Sequence, residues 1–127
     1  MNLRDAKVEP AVPVSDIVRA KEFYETRLGL AAGRQIFDGG ITYQCGGGRE
    51  LHIYPSPAAG KSGATVAAWE VVDLEQTVDE LTANGVSFEH YHTERLKTNE
   101  KGIADLGEER VAWFKDPDGN THGLVQL

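Results

Sequence analysis

Apolar positions recur along this chain in two rhythms, every second residue and every third or fourth. Residues 8–14 alternate, with Pro10, Val12 and Val14 on one face and Glu9, Ala11 and Pro13 on the other, the pattern of a half-buried strand. Each proline removes a ladder donor, which places the strand near an edge. Ser15-Asp16 then offers a helix N-cap, and Ile17, Ala20, Phe23, Tyr24 and Leu28 follow at helical spacing until Gly29. Three short strands are expected next, over 33–37, 41–45 and 50–54, separated by Asp38-Gly39-Gly40 and Gly46-Gly47-Gly48. The triple glycine is followed by neither a helix nor Lys-Ser/Thr, so it reads as a hairpin turn and not as a phosphate cradle. Residues 55–64 are Pro, Gly, Ala and Ser with a lysine, a linker or mobile loop.

The pattern then begins again. Residues 65–72 alternate, with Ala67, Trp69 and Val71 on one face and Val66, Ala68 and Glu70 on the other. Asp73 caps a second helix carrying Leu74, Val78 and Leu81, which Asn84-Gly85 ends. A strand is expected over 86–91. The polar stretch 92–109 holds Leu96, Gly102, Ile103 and Leu106 among its charges, spaced so that it can fold back as a lid. The chain closes on a hairpin, 110–115 and 121–127 around Asp116-Pro117-Asp118-Gly119-Asn120, where Asp, Pro and Gly each supply turn chemistry. Val14-Ser15-Asp16-Ile17 and Val72-Asp73-Leu74 each lead from strand to helix, about half a chain apart, so the sequence is an internal repeat. The fold expected is α+β: one domain of two paired βαβββ modules, 8–55 and 65–127, joined by the linker 56–64. Their sheets form a curved mixed surface around a concave cup, with the helices outside.

Composition narrows the partners. A net charge of −7 without clustered Lys and Arg argues against nucleic acid; it mildly favours a cationic over an anionic ligand, while an acidic surface that only keeps the chain in solution explains it more simply. No run of 18 apolar residues spans a membrane, and no apolar leader opens the chain. The one cysteine, Cys45, cannot form an internal disulfide and fits a reducing cytoplasm; it reads as a half-buried strand residue. His90 and His92 read as solvated.

Pro13-Val14-Ser15-Asp16, Phe23-Tyr24 and Leu28-Gly29-Leu30, with residues 71–74 and 113–120 completing the pattern, resemble the vicinal oxygen chelate superfamily. That group contains glyoxalase I, the bleomycin-resistance proteins and the extradiol dioxygenases. The resemblance implies paired βαβββ modules, assembly into homodimers and a ligand cavity in each cup. In the enzymes it implies a divalent metal, held from the first and last strands of each module. Seven residues before Asp16 stands Glu9, a possible ligand, but the equivalent residue before Asp73 is Val66. Four residues after Gly119, where the family has a Glu, stands Gly123; Leu51 or His52 falls near the remaining position. A catalytic metal normally keeps three protein ligands. No cofactor is therefore expected, unless the ligand register is misread and a divalent metal binds.

In this reading Val66 and Gly123 widen the cup floor, and Glu9, Glu70, His52 and Tyr54 supply its polar groups. Two carboxylates in one pocket call for a cation. Trp113 and Phe114 alternate, so one of them faces the cup; Trp69 packs under the second helix. His122 shares a face with Leu124, toward the helix, with its ring hydrogen-bonded. Three functions follow from the resemblance and these residues: a protein that binds or sequesters a small molecule without metal, a metal-dependent glyoxalase-like lyase or dioxygenase, and a metal-free enzyme using Glu9, Glu70 or His52 as general base.

Overall fold

The computed structural model describes residues 2–127. The first half of the chain contributes β1 (Ala11–Val14), α1 (Ile17–Lys21), β2 (Arg34–Gln35), β3 (Ile41–Gln44) and β4 (Glu50–Pro55). The second contributes β5 (Thr65–Glu70), α2 (Leu74–Ala83), β6 (Ile103–Asp105), β7 (Arg110–Lys115) and β8 (Thr121–Gln126). Each half folds into a four-stranded mixed sheet, ordered β1-β4-β3-β2 and β5-β8-β7-β6. The first strand of each half runs parallel to its last, and the other pairs are antiparallel. The architecture is thus α+β, built from two βαβββ halves.

Local chemistry explains most boundaries. β1 begins after Pro10, which has no N–H to give, although its carbonyl still accepts from the His52 amide. The Asp16 side chain accepts from the amides of Val18 and Arg19, and Asp73 accepts from Gln76, so both helices carry the expected caps. The first helix does not stay α-helical to Leu28. It widens into π-helical turns over Glu22–Arg27, and both Phe23 and Tyr24 are buried there.

Two expectations in the second half fail. Residues 86–91 do not form a strand; only Phe88 bridges to Phe114. The strand β6 lies instead inside the stretch expected to be a lid. Ile103 and Ala104 are buried and pair with Ala112 and Val111 on β7, so this stretch is a sheet edge. Gly102, at φ +87°, permits the crossing: a Cβ there would sit 3.0 Å from the Glu89 carbonyl and the Phe88 side chain.

The helix-side faces of both sheets share one core. Val12, Val14, Leu51 and Ile53 come from the first sheet, and Leu74, Val78, Phe114 and Leu124 from the second half. Phe23 and Tyr24 reach across, with ring centroids 6.3 Å from Phe114 and 5.6 Å from His122. The edges β1 and β5 lie side by side but do not pair among the described residues, which leaves a seam between the sheets.

Candidate functional site

The seam is locked at one end by the turn between β7 and β8. Asp118 accepts from the amide and hydroxyl of Ser15 and pairs with Arg19 at 3.0 Å, so it grips the start of α1. Asn120 donates to the Pro13 carbonyl at 2.7 Å and accepts from the Gly60 amide at 3.1 Å. The turn itself is shaped by buried Asp116, whose carboxylate accepts from the amides of Asp118 and Asn120, the Asn120 side chain and the Tyr24 hydroxyl. Gly60 packs so tightly that a Cβ would lie 1.7 Å from the Asp118 carbonyl oxygen. The linker is therefore fastened to the lock.

His122 lies behind the lock, fully buried toward the helices as its alternation with Leu124 indicates. Its ring stacks on Phe114 at 5.0 Å and an interplanar angle of 5°. Nδ1 is 3.0 Å from the Trp69 indole nitrogen, and Nε2 is 2.9 Å from the Tyr24 hydroxyl oxygen. Burial pushes its pKa down to about 4, only partly opposed by the Asp116 charge, so the ring is neutral at pH 7. Burial also raises the Tyr24 phenol well above its usual range, reinforced by Asp116.

At the other end the seam opens into a cleft of about 690 Å³. Glu9 and Glu50 line it from the first half, and Ala68, Trp69 and Glu70 from β5. Gly46, Gly47 and Arg49, from the turn between β3 and β4, stand opposite Val71 and Val72. Glu9 accepts from the Glu50 amide and pairs with Lys7 at 3.4 Å, while its Oε1 has no hydrogen-bond partner among the described residues. The Glu50 amide holds the Glu9 carboxyl below the usual range, against an opposing effect of burial and with help from Lys7. Cys45 also lines the cleft, but burial pushes its thiol up and its Sγ points at the Tyr43 carbonyl, so it is no activated nucleophile.

The remaining sequence candidates fall elsewhere. His52 and Tyr54 alternate with buried Leu51 and Ile53 and stack at 6.1 Å on the face of the first sheet away from the core. His52 is held by the Thr42 hydroxyl at 2.9 Å and by Asp38 at 3.5 Å, on opposite ring nitrogens. Trp113 pairs with Gly123 on the outer face of the second sheet; Tyr91 packs edge-on against Trp113, and Thr65 stands beside Gly123. Val66 does not join them. The register between β5 and β8 shifts between Thr65 and Ala67, so Val66 drops out of the alternation and packs against the core. Glu50 and Arg49 were not singled out, although Glu50 stands two residues before His52 and shares its face. Trp69 does pack on the core, but it also forms the cleft wall, because β5 borders the seam.

These residues do not fit a catalytic metal. Glu9 has one carboxylate oxygen taken by the Glu50 amide and the Lys7 ammonium 3.4 Å from the other, His52 is engaged by Thr42 and Asp38, and Val66 and Gly123 offer no donor. Among the described residues no group of three or more His, Cys, Asp or Glu could hold a metal ion. Nor is any helix among them long and apolar enough to cross a membrane.

Residues 8–123 match the family model of the Glyoxalase/Bleomycin resistance protein/Dioxygenase superfamily. The chain belongs to that superfamily, as the repeat and the βαβββ halves lead one to expect. No match emerges among curated protein sequences. Among solved structures, a glyoxalase/bleomycin resistance protein from Catenulispora acidiphila superposes with a TM-score of 0.68 at 21% identity, over 97% of this chain and 99% of that one. TnmS3, an antibiotic binding protein from Streptomyces sp. CB03234, gives 0.65 at 24% identity, over 96% and 97% of the two chains. An integron cassette protein from the mobile metagenome of a Halifax Harbour sewage outfall gives 0.70 at 17% identity, over 97% and 99%. At these identities the likeness is one of fold.

Proposed function

We propose that this protein binds, and by binding sequesters, a small cationic organic molecule in the cleft at the open end of the seam. The observation that carries the reading is the charge of that cleft. Three carboxylates, Glu9, Glu50 and Glu70, line it with one guanidinium, Arg49, beside an indole and an apolar wall; Lys7 pairs with Glu9 at 3.4 Å and Arg34 with Glu50 at 3.6 Å, which leaves Glu70 as the cleft carboxylate without an ion pair among the described residues. An apolar recess with a few convergent polar groups is the usual form of a small-molecule site, and an aromatic face beside carboxylates suits an organic cation. The antibiotic-binding neighbour on the same fold supports a binding role. In this reading His52, Tyr54, Trp113 and Gly123 extend the cup along the outer sheet faces, and the protein is a cytoplasmic homodimer.

The test is a thermal-shift screen of cationic aromatic compounds at low ionic strength, with hits measured by calorimetry. Hits should raise the melting temperature, and Glu70→Gln or Glu9→Gln should weaken them about tenfold, the scale of one charge-assisted hydrogen bond. A panel without a binder, or unchanged affinity in both variants, overturns the reading. Size-exclusion chromatography with light scattering tests the dimer.

One observation favours a second reading, a metal-free enzyme. His52 stands on an accessible face with the Asp38 carboxylate 3.5 Å from Nε2, the pairing that orients a general base, and Nδ1 becomes free to take a proton once the Thr42 hydroxyl beside it turns away. Turnover of an α-hydroxythioester, a catechol or an epoxide that is lost in His52→Ala would establish it.

A further inference from the structure

We infer that His122 is a positioning residue for this cleft: its Nδ1 holds the Trp69 indole in place as the cleft wall, at the head of a hydrogen-bond chain that ends on Asp116. The inference rests on the reading of the cleft as the binding site.

Proton bookkeeping fixes the chain in one direction. An indole N–H can only donate, so Nδ1 of His122, 3.0 Å away, must be bare and must accept. The proton of the neutral ring then sits on Nε2, 2.9 Å from the Tyr24 oxygen, which accepts it. The Tyr24 hydroxyl keeps its own proton for the Asp116 carboxylate, 2.8 Å away. Each donor has its acceptor in this arrangement and in no other, since the carboxylate can only accept. Parallel stacking on Phe114 at 5.0 Å holds the ring plane. The low pKa that burial gives His122 keeps the ring in the neutral form that this chain requires.

The chain joins both ends of the seam. Trp69 lines the cleft, and Asp116 shapes the turn that locks β1 and α1 to the second half. A ligand pressing on the indole therefore meets a ring braced by the closed junction and not one free to change rotamer, which is how a site avoids losing affinity to side-chain ordering. The titratable groups facing His122 are Tyr24 from the helical segment after α1 and Asp116 from the turn. Asp118 and Tyr43 stand behind Tyr24, while Phe114 and Trp69 carry no titratable group.

The test separates the brace from the ligand. Ring-nitrogen NMR on ¹⁵N-labelled protein should show a proton on Nε2 of His122 and none on Nδ1. In a Trp113→Phe background, Trp69 is the one indole. There, His122→Leu should shift the indole N–H resonance and raise acrylamide quenching of its fluorescence, and His122→Gln, which keeps an acceptor, should restore both. Should His122→Leu fail to fold, Tyr24→Phe serves: it preserves volume, removes the acceptor for Nε2–H and should move the His122 titration midpoint. A proton on Nδ1, or an indole that behaves alike in all variants, overturns the inference. With Trp113 intact, affinity for benzyltrimethylammonium should fall about tenfold in His122→Leu, about one hydrogen bond's worth of ordering, and recover in His122→Gln. If the indole responds as expected but the cation binds neither protein, the brace stands and the cation reading of the cleft falls.

Discussion

The two halves of this protein meet at two equivalent junctions, and only one of them is closed. In each, the turn before a half's last strand faces the strand-to-helix corner of the other half. At the closed junction, Asp118 and Asn120 reach from the β7–β8 turn to Ser15, Arg19, Pro13 and Gly60. At the open junction, the tip of the β3–β4 turn is Gly46-Gly47-Gly48, which has no side chain to offer between Cys45 and Arg49, and it lines the cleft together with Val71 and Val72. Ser15 is capped by a carboxylate from the other half, whereas its counterpart Val72 is 95% exposed. One repeat thus supplies both a fastening and a recess. The side chains that fasten one copy of the turn are absent from the tip of the other, and there the recess lies open.

If the closed junction is the fastening, the largest loss of stability should come from its centre. Asp116 is buried and its carboxylate accepts four hydrogen bonds, so Asp116→Ala takes the acceptor from the Tyr24 O–H, one N–H of the Asn120 side chain and two amides. Urea unfolding should show a loss of about 4 kcal/mol. Less than 1 kcal/mol would mean that the junction is ornamental.

The next effect belongs to pH. His122 has a folded pKa near 4 against an ordinary 6.5. The unfolded chain therefore takes up a proton that the folded chain refuses. Stability from this residue is complete above pH 6.5 and lost as the pH falls toward 4, by about 3 kcal/mol in all. Other carboxylates titrate in the same range, so the measurement is a difference, wild type minus His122→Gln, across pH 7 to 4. A flat difference would place water beside the ring.

The linker tests the closed junction at its tightest contact. Gly60 sits at φ +70° with the Asp118 carbonyl where a Cβ would be. Gly60→Ala should cost about 2 kcal/mol, from strain in the left-handed region and displacement of the turn. A smaller cost would show that the linker can lift away from Asn120.

What could be seen beforehand was whatever depends on neighbours along the chain. The caps Asp16 and Asp73 serve amides two or three residues on, so the sequence around them suffices to find them. Alternation put His122 with Leu124 and Trp69 with Ala67 on the helix side, because a strand's period is intrinsic to its backbone. What stayed hidden depends on chain segments that are far apart. The bulge that withdraws Val66 arises from pairing with β8. β6 forms because Ile103 and Ala104 find β7, and their charged surroundings conceal them. The cleft is missed for the same reason. Alternation and the family resemblance put Glu9 and Glu70 in the cup, but only the seam shows that Trp69 stands between the core and the opening, with Glu50 and Arg49 lining the same cleft.

The smallest expected effect on stability is the sharpest test of the open junction. Gly47 and Gly48 have φ of 69° and 72°, so a side chain at either would be strained. Gly46 is not among the positive-φ glycines, and a Cβ there meets no atom within 4 Å. Gly46→Phe should therefore change unfolding free energy by no more than about 0.5 kcal/mol while its ring occupies the mouth of the cleft. Calorimetry with a cationic ligand found for the wild type should then show binding weakened by at least about tenfold, a cost of roughly 1.4 kcal/mol. The contrast with Gly60→Ala is the point of the pair. A methyl group at the closed junction should damage the fold, and a whole phenyl ring at the open one should damage only binding. If Gly46→Phe binds as well as the wild type, the ligand does not enter between Gly46 and Val72, and the outer face carrying His52 and Tyr54 becomes the site to probe.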